Sequence, residues 1–260
     1  MTVALETSSL VKTFGGLTAT NDVSIRLEQG DRHALIGPNG AGKTTLINLL
    51  TGVLRPTSGR ITLEGRDITG MKPDRRVRLG LVRTFQINQL FGAMTPFETI
   101  GMAVAERQGR GHEFWRGVGH EAQIIDDIVE ILDRFRLTDV MGERTASLPY
   151  GKQRLLEIAA AIACRPRVLL LDEPAAGVPE GEREDILDAV AALPAEVTVL
   201  LIEHDMDLVF RFARRISVLV NGTLLTEGSA AEVARDPRVR AVYLGESYQG
   251  DKAHQGGGHG

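Results

Sequence analysis

Residues 37–45 read Gly-Pro-Asn-Gly-Ala-Gly-Lys-Thr-Thr, a G-x-x-x-x-G-K-[ST] run between an apolar strand-like segment, His33–Ile36, and a helix-like one, Thr44–Leu50. No other feature constrains the fold as strongly, because such a loop needs a strand to deliver it and a helix to receive it. Glycines at 37, 40 and 42 let the backbone turn tightly and bring bare N–H groups up to an anion. The start of the helix adds unpaired N–H donors and a partial positive charge. Lys43 reaches the β- and γ-phosphates as a point charge, and the Thr44 hydroxyl is placed to ligate Mg²⁺. The run Gly37, Pro38, Asn39, Gly40, Ala41, Gly42, Lys43, Thr44 and Thr45 therefore implies a nucleoside triphosphate site.

The 260 residues allow one large α/β domain or a domain with a substantial insertion, and 43% apolar residues supply a sizeable core. A net charge of −4 leaves no basic footprint for nucleic acid. The single cysteine, Cys164, sits in the apolar run 159–164, reads as a packed thiol and excludes an intrachain disulfide. The first residues, Met1–Glu6, lack the basic-then-apolar pattern of a secretory signal. The aliphatic runs Val168–Leu171 and Val197–Ile202 fall far short of the ~20 residues that span a bilayer. Work at a membrane therefore requires a partner to hold the chain there.

Strand-like runs occupy Val3–Val11, Val23–Leu27, His33–Ile36, Arg60–Leu63 and Leu81–Phe85. The block 96–140 changes character: Glu98–Arg107 and Glu121–Phe135 carry helical spacing, the latter through Ile124, Ile128, Ile131, Leu132 and Phe135. Gln108–Gly119 reads as a loop. After 150 the pattern alternates: helix 151–163, strand 167–171, helix 180–192, strand 197–202, helix 205–212, strand 215–220. That alternation predicts a parallel sheet covered on both faces, with the helical block as an inserted lobe. The Gly- and His-containing tail after 245 reads as disordered.

A second acidic site lies at Val168–Leu171, where four aliphatics run into Asp172-Glu173-Pro174. Ligand sites of open α/β sheets form at the carboxyl ends of such strands. Asp172 is the candidate Mg²⁺ holder, and Glu173 the candidate to orient and deprotonate an attacking water. Val197–Ile202 ends in Glu203-His204-Asp205, where His204 either hydrogen-bonds a γ-phosphate oxygen or serves a structural role. Gln86 follows another strand-like run and takes meaning only from the set.

The set resembles the ATP-binding subunit of ABC transporters, over roughly residues 3–245 and with six elements in that family's order. These are Phe14 in Lys12-Thr13-Phe14-Gly15, the loop 37–45, Gln86, Leu148-Pro149-Tyr150-Gly151-Lys152-Gln153, Val168–Glu173 and His204. The resemblance implies a P-loop NTPase core, residues 3–95 with 165–245, that contains an N-terminal antiparallel β subdomain. It also implies a helical lobe at 96–164 and a tail at 246–260. It casts Phe14 as the adenine-stacking aromatic and Thr44, Gln86 and Asp172 as the Mg²⁺ surround. Glu173, His204, Lys43 and Gln86 become catalytic, and Gly151 contacts the nucleotide of a second subunit in trans.

Several segments narrow the resemblance to the branched-chain amino-acid importer group, closer to its LivG-like than its LivF-like subunit. They include Arg83-Thr84-Phe85-Gln86, Leu155–Ala159, Asp172–Gly177, Ile202–Met206 and Tyr243-Leu244-Gly245-Glu246. That group implies ATP and Mg²⁺ as cofactors and a second ATPase subunit as partner, a LivF-like heterodimer or a homodimer. It also implies two membrane permeases, an indirectly acting substrate-binding protein, no nucleic acid, and a peripheral place on the cytoplasmic face of the inner (plasma) membrane. The alternatives are the ATPase of an export or lipid-extraction complex and a soluble non-transport ABC ATPase. Two departures stand out. Pro149 and Tyr150 occupy the serine and first glycine of the usual Leu-Ser-Gly-Gly-Gln, with Lys152 in place of its Gln, and Pro179 occupies the usual aspartate after the acidic strand. Lys152 either adds positive charge there or is solvated.

Overall fold

Twelve residues, Val3–Phe14, form β1, the organising strand of an antiparallel sheet. The computed structural model describes residues 2–84, 90–109 and 122–242. Gln86, most of the 108–119 loop, the Tyr243–Glu246 segment and the tail lie outside the described residues. The chain divides into two units, residues 1–70 with 200–260 and residues 71–199.

In the first unit β1 pairs antiparallel with β2 (Leu17–Val23), β3 (Arg26–Glu28) and β5 (Ser58–Leu63), and β6 (Arg66–Asp67) extends β5. Gly15-Gly16 closes the β1–β2 hairpin as a two-residue turn, with Phe14 opposite Leu17. The run expected as one strand at Val23–Leu27 is two. The Thr7 hydroxyl donates to the Val23 carbonyl at 3.0 Å and accepts the Ile25 N–H at 2.9 Å, which holds a break between β2 and β3.

The same unit holds the parallel pair β4 (Arg32–Ile36) and β10 (Arg215–Val220), with His33 opposite Arg215 and Ile36 opposite Val218. β10 continues antiparallel into β11 (Thr223–Gly228) through Asn221-Gly222, both at positive φ as a tight hairpin demands. Helix α1 (Lys43–Thr51) buries Leu46, Ile47, Leu49 and Leu50 and stops at the left-handed Gly52. His33 is buried on β4: Nε2 meets the Ser217 hydroxyl at 2.8 Å, and that hydroxyl donates to Glu227 at 2.7 Å. The imidazole N–H is therefore the donor, and the buried Nδ1 has no partner among the described residues.

Burial lowers the His33 pKa from 6.5, against the raising influence of Glu227. Between the lowered folded pKa and 6.5 the folded chain keeps this histidine neutral while the unfolded chain protonates it. Its stabilising contribution is complete above 6.5 and is lost progressively as pH falls below that value. Urea unfolding at about pH 7 and about pH 5 checks this, because His33→Asn is expected to lose less stability across that interval than the parent.

The second unit sets β7 (Leu81–Arg83) parallel to β8 (Val168–Asp172), Leu81 opposite Val168 and Arg83 opposite Leu170. Every residue of β8 is buried, as a strand covered on both faces requires. Helices α2 (Pro73–Arg78), α3 (Pro96–Arg107), α4 (Ala122–Arg134), α5 (Tyr150–Ala163) and α6 (Glu180–Ala191) complete it. α3 starts at a Thr95–Glu98 capping box with Pro96 in its first turn. α4 buries Ile124, Ile128 and Leu132, with Phe135 just beyond it, and α3, α4 and α5 pack together as the expected helical block. Cys164 is half-buried and its thiol pKa is raised by burial, in keeping with a packed thiol.

β9 (Thr198–Ile202) is fully buried and begins in the second unit and ends in the first. α7 (Met206–Phe212) and α8 (Ala230–Arg235) belong to the first unit. The α/β class with parallel strands and an N-terminal antiparallel sheet is as the sequence led one to expect. The sequence reading did not include β2 apart from Val23, nor β6, α2, β11 or α8. No helix of the described residues is long and apolar enough to cross a membrane.

Candidate active site

The glycine loop leaves β4 at Ile36 and enters α1 at Lys43. A side chain at position 37 would place its Cβ 2.1 Å from the Leu219 carbonyl oxygen, and one at 42 would stand 2.5 Å from that of Ala19. Gly42 also caps α1 at φ +100°, so two separate constraints demand glycine there. Gly40, at φ +77°, has open space around its missing Cβ and is exposed. The β10–β11 turn braces the loop: the Gly222 N–H donates to the Ala41 carbonyl at 2.8 Å, and the Asn21 N–H donates to the Gly222 carbonyl at 2.7 Å.

The loop fits a phosphate. No side chain caps α1 and no acid stands in its first turn, so the helix start keeps its positive character. The Lys43 ammonium folds back over the loop onto the carbonyls of Gly37 at 2.5 Å and Pro38 at 3.1 Å. Thr44, second in α1, is exposed. Phe14, at the end of β1, is 45% exposed, and the Lys12 ammonium lies over one face of its ring, 4.9 Å from the centroid. His204 follows β9 with its side chain 65% exposed. The buried Glu203 accepts the backbone N–H of His204 at 2.9 Å and of Asp205 at 3.3 Å, which fixes that turn.

In the second unit β8 delivers its acids as expected. Asp172 is 5% exposed and pairs with Arg83 of β7 at 2.6 Å. Glu173 is half-buried and its backbone is left-handed at φ +46°. A non-glycine residue in that region stores strain that its surroundings must hold. Much of that holding comes from Arg154 on α5. Its Nε donates to the Pro174 carbonyl at 3.0 Å, and its Nη2 to those of Glu173 at 2.8 Å and Asp172 at 3.3 Å. Its Nη1 pairs with the Glu157 carboxylate, one turn along the same helix.

The segment 148–153 starts α5, with Pro149 as its N-cap. The Gly151 N–H is bonded to the Glu182 carboxylate of α6 at 2.8 Å, and the Tyr150 hydroxyl donates to the Ala176 carbonyl at 3.4 Å. A Cβ at 151 would lie 2.2 Å from that Glu182 oxygen, so only glycine admits the contact. Neither alternative weighed for Lys152 describes it. Its ammonium is tied to the Arg136 carbonyl at 2.7 Å and to Asp139 at 3.0 Å, whose carboxyl is held below its usual range by that bond.

Phe14, Gly37–Thr45 and His204 therefore fall in the first unit, and Gly151, Asp172 and Glu173 in the second. The sequence reading gave no structural role to Arg83, Arg154, Glu157 or Glu182. An arginine three residues before a glutamate inside an apolar helical run was the one local signal, since buried charges come paired. Asn221-Gly222 carried an unused hairpin signal.

A phosphate loop between strand and helix, with an acidic pair ending a buried parallel strand, defines a P-loop ATPase domain. The ABC transporter family model matches residues 20–176. A second, described as branched-chain amino acid ATP-binding cassette transporter, matches residues 223–249. Over 252 residues the chain is 40% identical to the high-affinity branched-chain amino acid transport ATP-binding protein BraF of Pseudomonas aeruginosa, spanning 94% of this chain and 98% of that one. It is 38% identical to the corresponding protein LivG of Escherichia coli, with the same 94% and 98% spans. A solved ADP conformation of an ATP-binding cassette of an ABC transporter superposes with a TM-score of 0.82 at 33% identity, over 94% of this chain and 100% of that one. A nucleotide-free cassette gives 0.80 at 33% identity, over 93% and 98%. The chain belongs to the ABC transporter family as one of its ATP-binding cassettes, an ATPase subunit.

Proposed function

We propose that this subunit powers an importer for branched-chain or related amino acids, seated on the cytoplasmic face of the membrane beneath two permeases and beside a second ATPase subunit. The observation that carries the reading is the near-full-length similarity to BraF and LivG, ATP-binding proteins of high-affinity branched-chain amino acid transport. The match of residues 223–249 to the branched-chain family model supports the same group over an exporter.

Phe14 stacks on the adenine and the amides of 37–45 hold the phosphates. By the family resemblance, Thr44, Asp172 and Gln86 are the residues that would hold Mg²⁺, which when bound neutralises phosphate charge. Asp172, here paired with Arg83, would give up that pair to take the role. Glu173 orients the attacking water and takes its proton, while Lys43 and His204 stabilise charge developing on the γ-phosphate. Gly151 serves the nucleotide of the neighbouring subunit, and engaging it exchanges the Glu182 carboxylate for a phosphate oxygen at the same N–H.

The test compares the purified monomer with the chain assembled with its second ATPase subunit and permeases. The monomer is expected to bind ATP but to turn over at least on the order of a hundredfold more slowly, the cost of missing preorganised donors. Equal turnover in both would overturn the two-subunit site. Uptake of labelled leucine, isoleucine and valine by cells lacking the subunit reads the cargo, and unchanged uptake of all three would reject that assignment.

A further inference from the structure

We propose that Arg154 is a positioning residue for Glu173, an inference that rests on Glu173 being the general base. Asp172, the last residue of β8, and Glu173 and Pro174, the first two beyond it, follow one another in the chain. One guanidinium, 1% exposed, gathers all three carbonyls at 3.3, 2.8 and 3.0 Å. Only a planar fork with several donors can do this, since an ammonium offers one point of charge.

The middle carbonyl of the three belongs to the residue at φ +46°. Left-handed backbone is strained for a residue with a side chain, and it relaxes unless neighbouring bonds hold it. The side chain of Glu173 leaves the backbone in the direction that this φ sets. Relaxation toward ordinary strand geometry would swing the carboxylate away from where β8 aims it. Arg154 thus fixes the aim of the base without touching water or phosphate.

Glu157, 9% exposed, makes the arrangement affordable in electrostatic terms. It neutralises the buried guanidinium from within the same helix, so that the cation can spend its remaining donors on carbonyls. The pair sits on α5 three and six residues beyond Gly151, which ties the base to a helix rather than to a loop.

The test uses the full chain assembled with its transporter partners and the variant Arg154→Lys, which keeps the charge opposite Glu157 but loses the fork. The expected result is a kcat lowered about 10- to 100-fold, as for a reacting group displaced by up to ~1 Å, with the KM for ATP changed less than about twofold. The decisive measurement is Arg154→Lys combined with Glu173→Gln. The double variant is expected to be no slower than Glu173→Gln alone, because Arg154 has nothing left to aim. A multiplicative loss, an unchanged kcat in Arg154→Lys, or a raised KM at parental kcat each overturns the proposal. Glu173→Gln alone, turning over at the parental rate, overturns the base assignment beneath it, a separate and recognisable failure. Should Arg154→Lys not fold, Arg154→Gln/Glu157→Gln leaves no buried charge unpaired and carries the same readouts.

Discussion

Glu173→Gln is expected to lower ATP turnover by about 10²- to 10⁴-fold, the range general-base removal commonly reaches, while ATP binding stays within a few-fold of the parent. The change is isosteric and keeps the half-buried position at the end of β8. The amide also leaves the backbone bonds untouched: Arg154 and the Ala176 N–H both bond the Glu173 main-chain carbonyl, not the carboxylate. What is lost is the capacity to accept a proton from water. Phosphate release in single-turnover conditions measures the first effect, and equilibrium binding of labelled ATP measures the second. Parental turnover in this variant would remove Glu173 from the mechanism. Loss of binding along with turnover would make it a structural residue.

Gly42→Ala has the largest expected structural effect. The added Cβ would stand 2.5 Å from the Ala19 carbonyl oxygen and 3.5 Å from the Gly222 Cα, so backbone confronts it on two sides. The left-handed backbone at φ +100° adds its own penalty. Steric overpacking of roughly 1–3 kcal/mol and left-handed strain of roughly 1–2 kcal/mol together give a loss of about 2–5 kcal/mol from the first unit. The loop can escape only by moving, which pulls the α1 amides from the phosphate position, so ATP affinity is expected to fall more than about tenfold. Urea unfolding and ATP titration separate the two effects. An unchanged urea midpoint with unchanged affinity would show that the loop is looser than its contacts imply.

Much of this was legible along the chain because the responsible physics is local. A phosphate loop depends on residues within nine positions, so 37–45 announced itself. Four aliphatics ending in Asp172-Glu173 announced a buried strand and its acidic end, and β8 is buried throughout. The apolar spacing of 124–135 announced α4, since one helical face must be covered. Short elements escaped: β6 has two residues and α2 and α8 six each, too few for a periodicity to show.

The amino-acid order by itself determined the class of the chain, its nucleotide loop and the acidic strand end, because each is encoded by neighbours in the chain. Tertiary structure alone decided what surrounds them. Arg83 meets Asp172 across 89 positions, Glu182 reaches Gly151 across 31, and the Gly222 turn braces Ala41. Arg154 gathers three carbonyls from 18 to 20 positions away. Such pairings arise only when the parallel strand and the packed helices bring distant segments into register. A carbonyl or an N–H carries no side-chain identity that a one-dimensional reading could match to its partner.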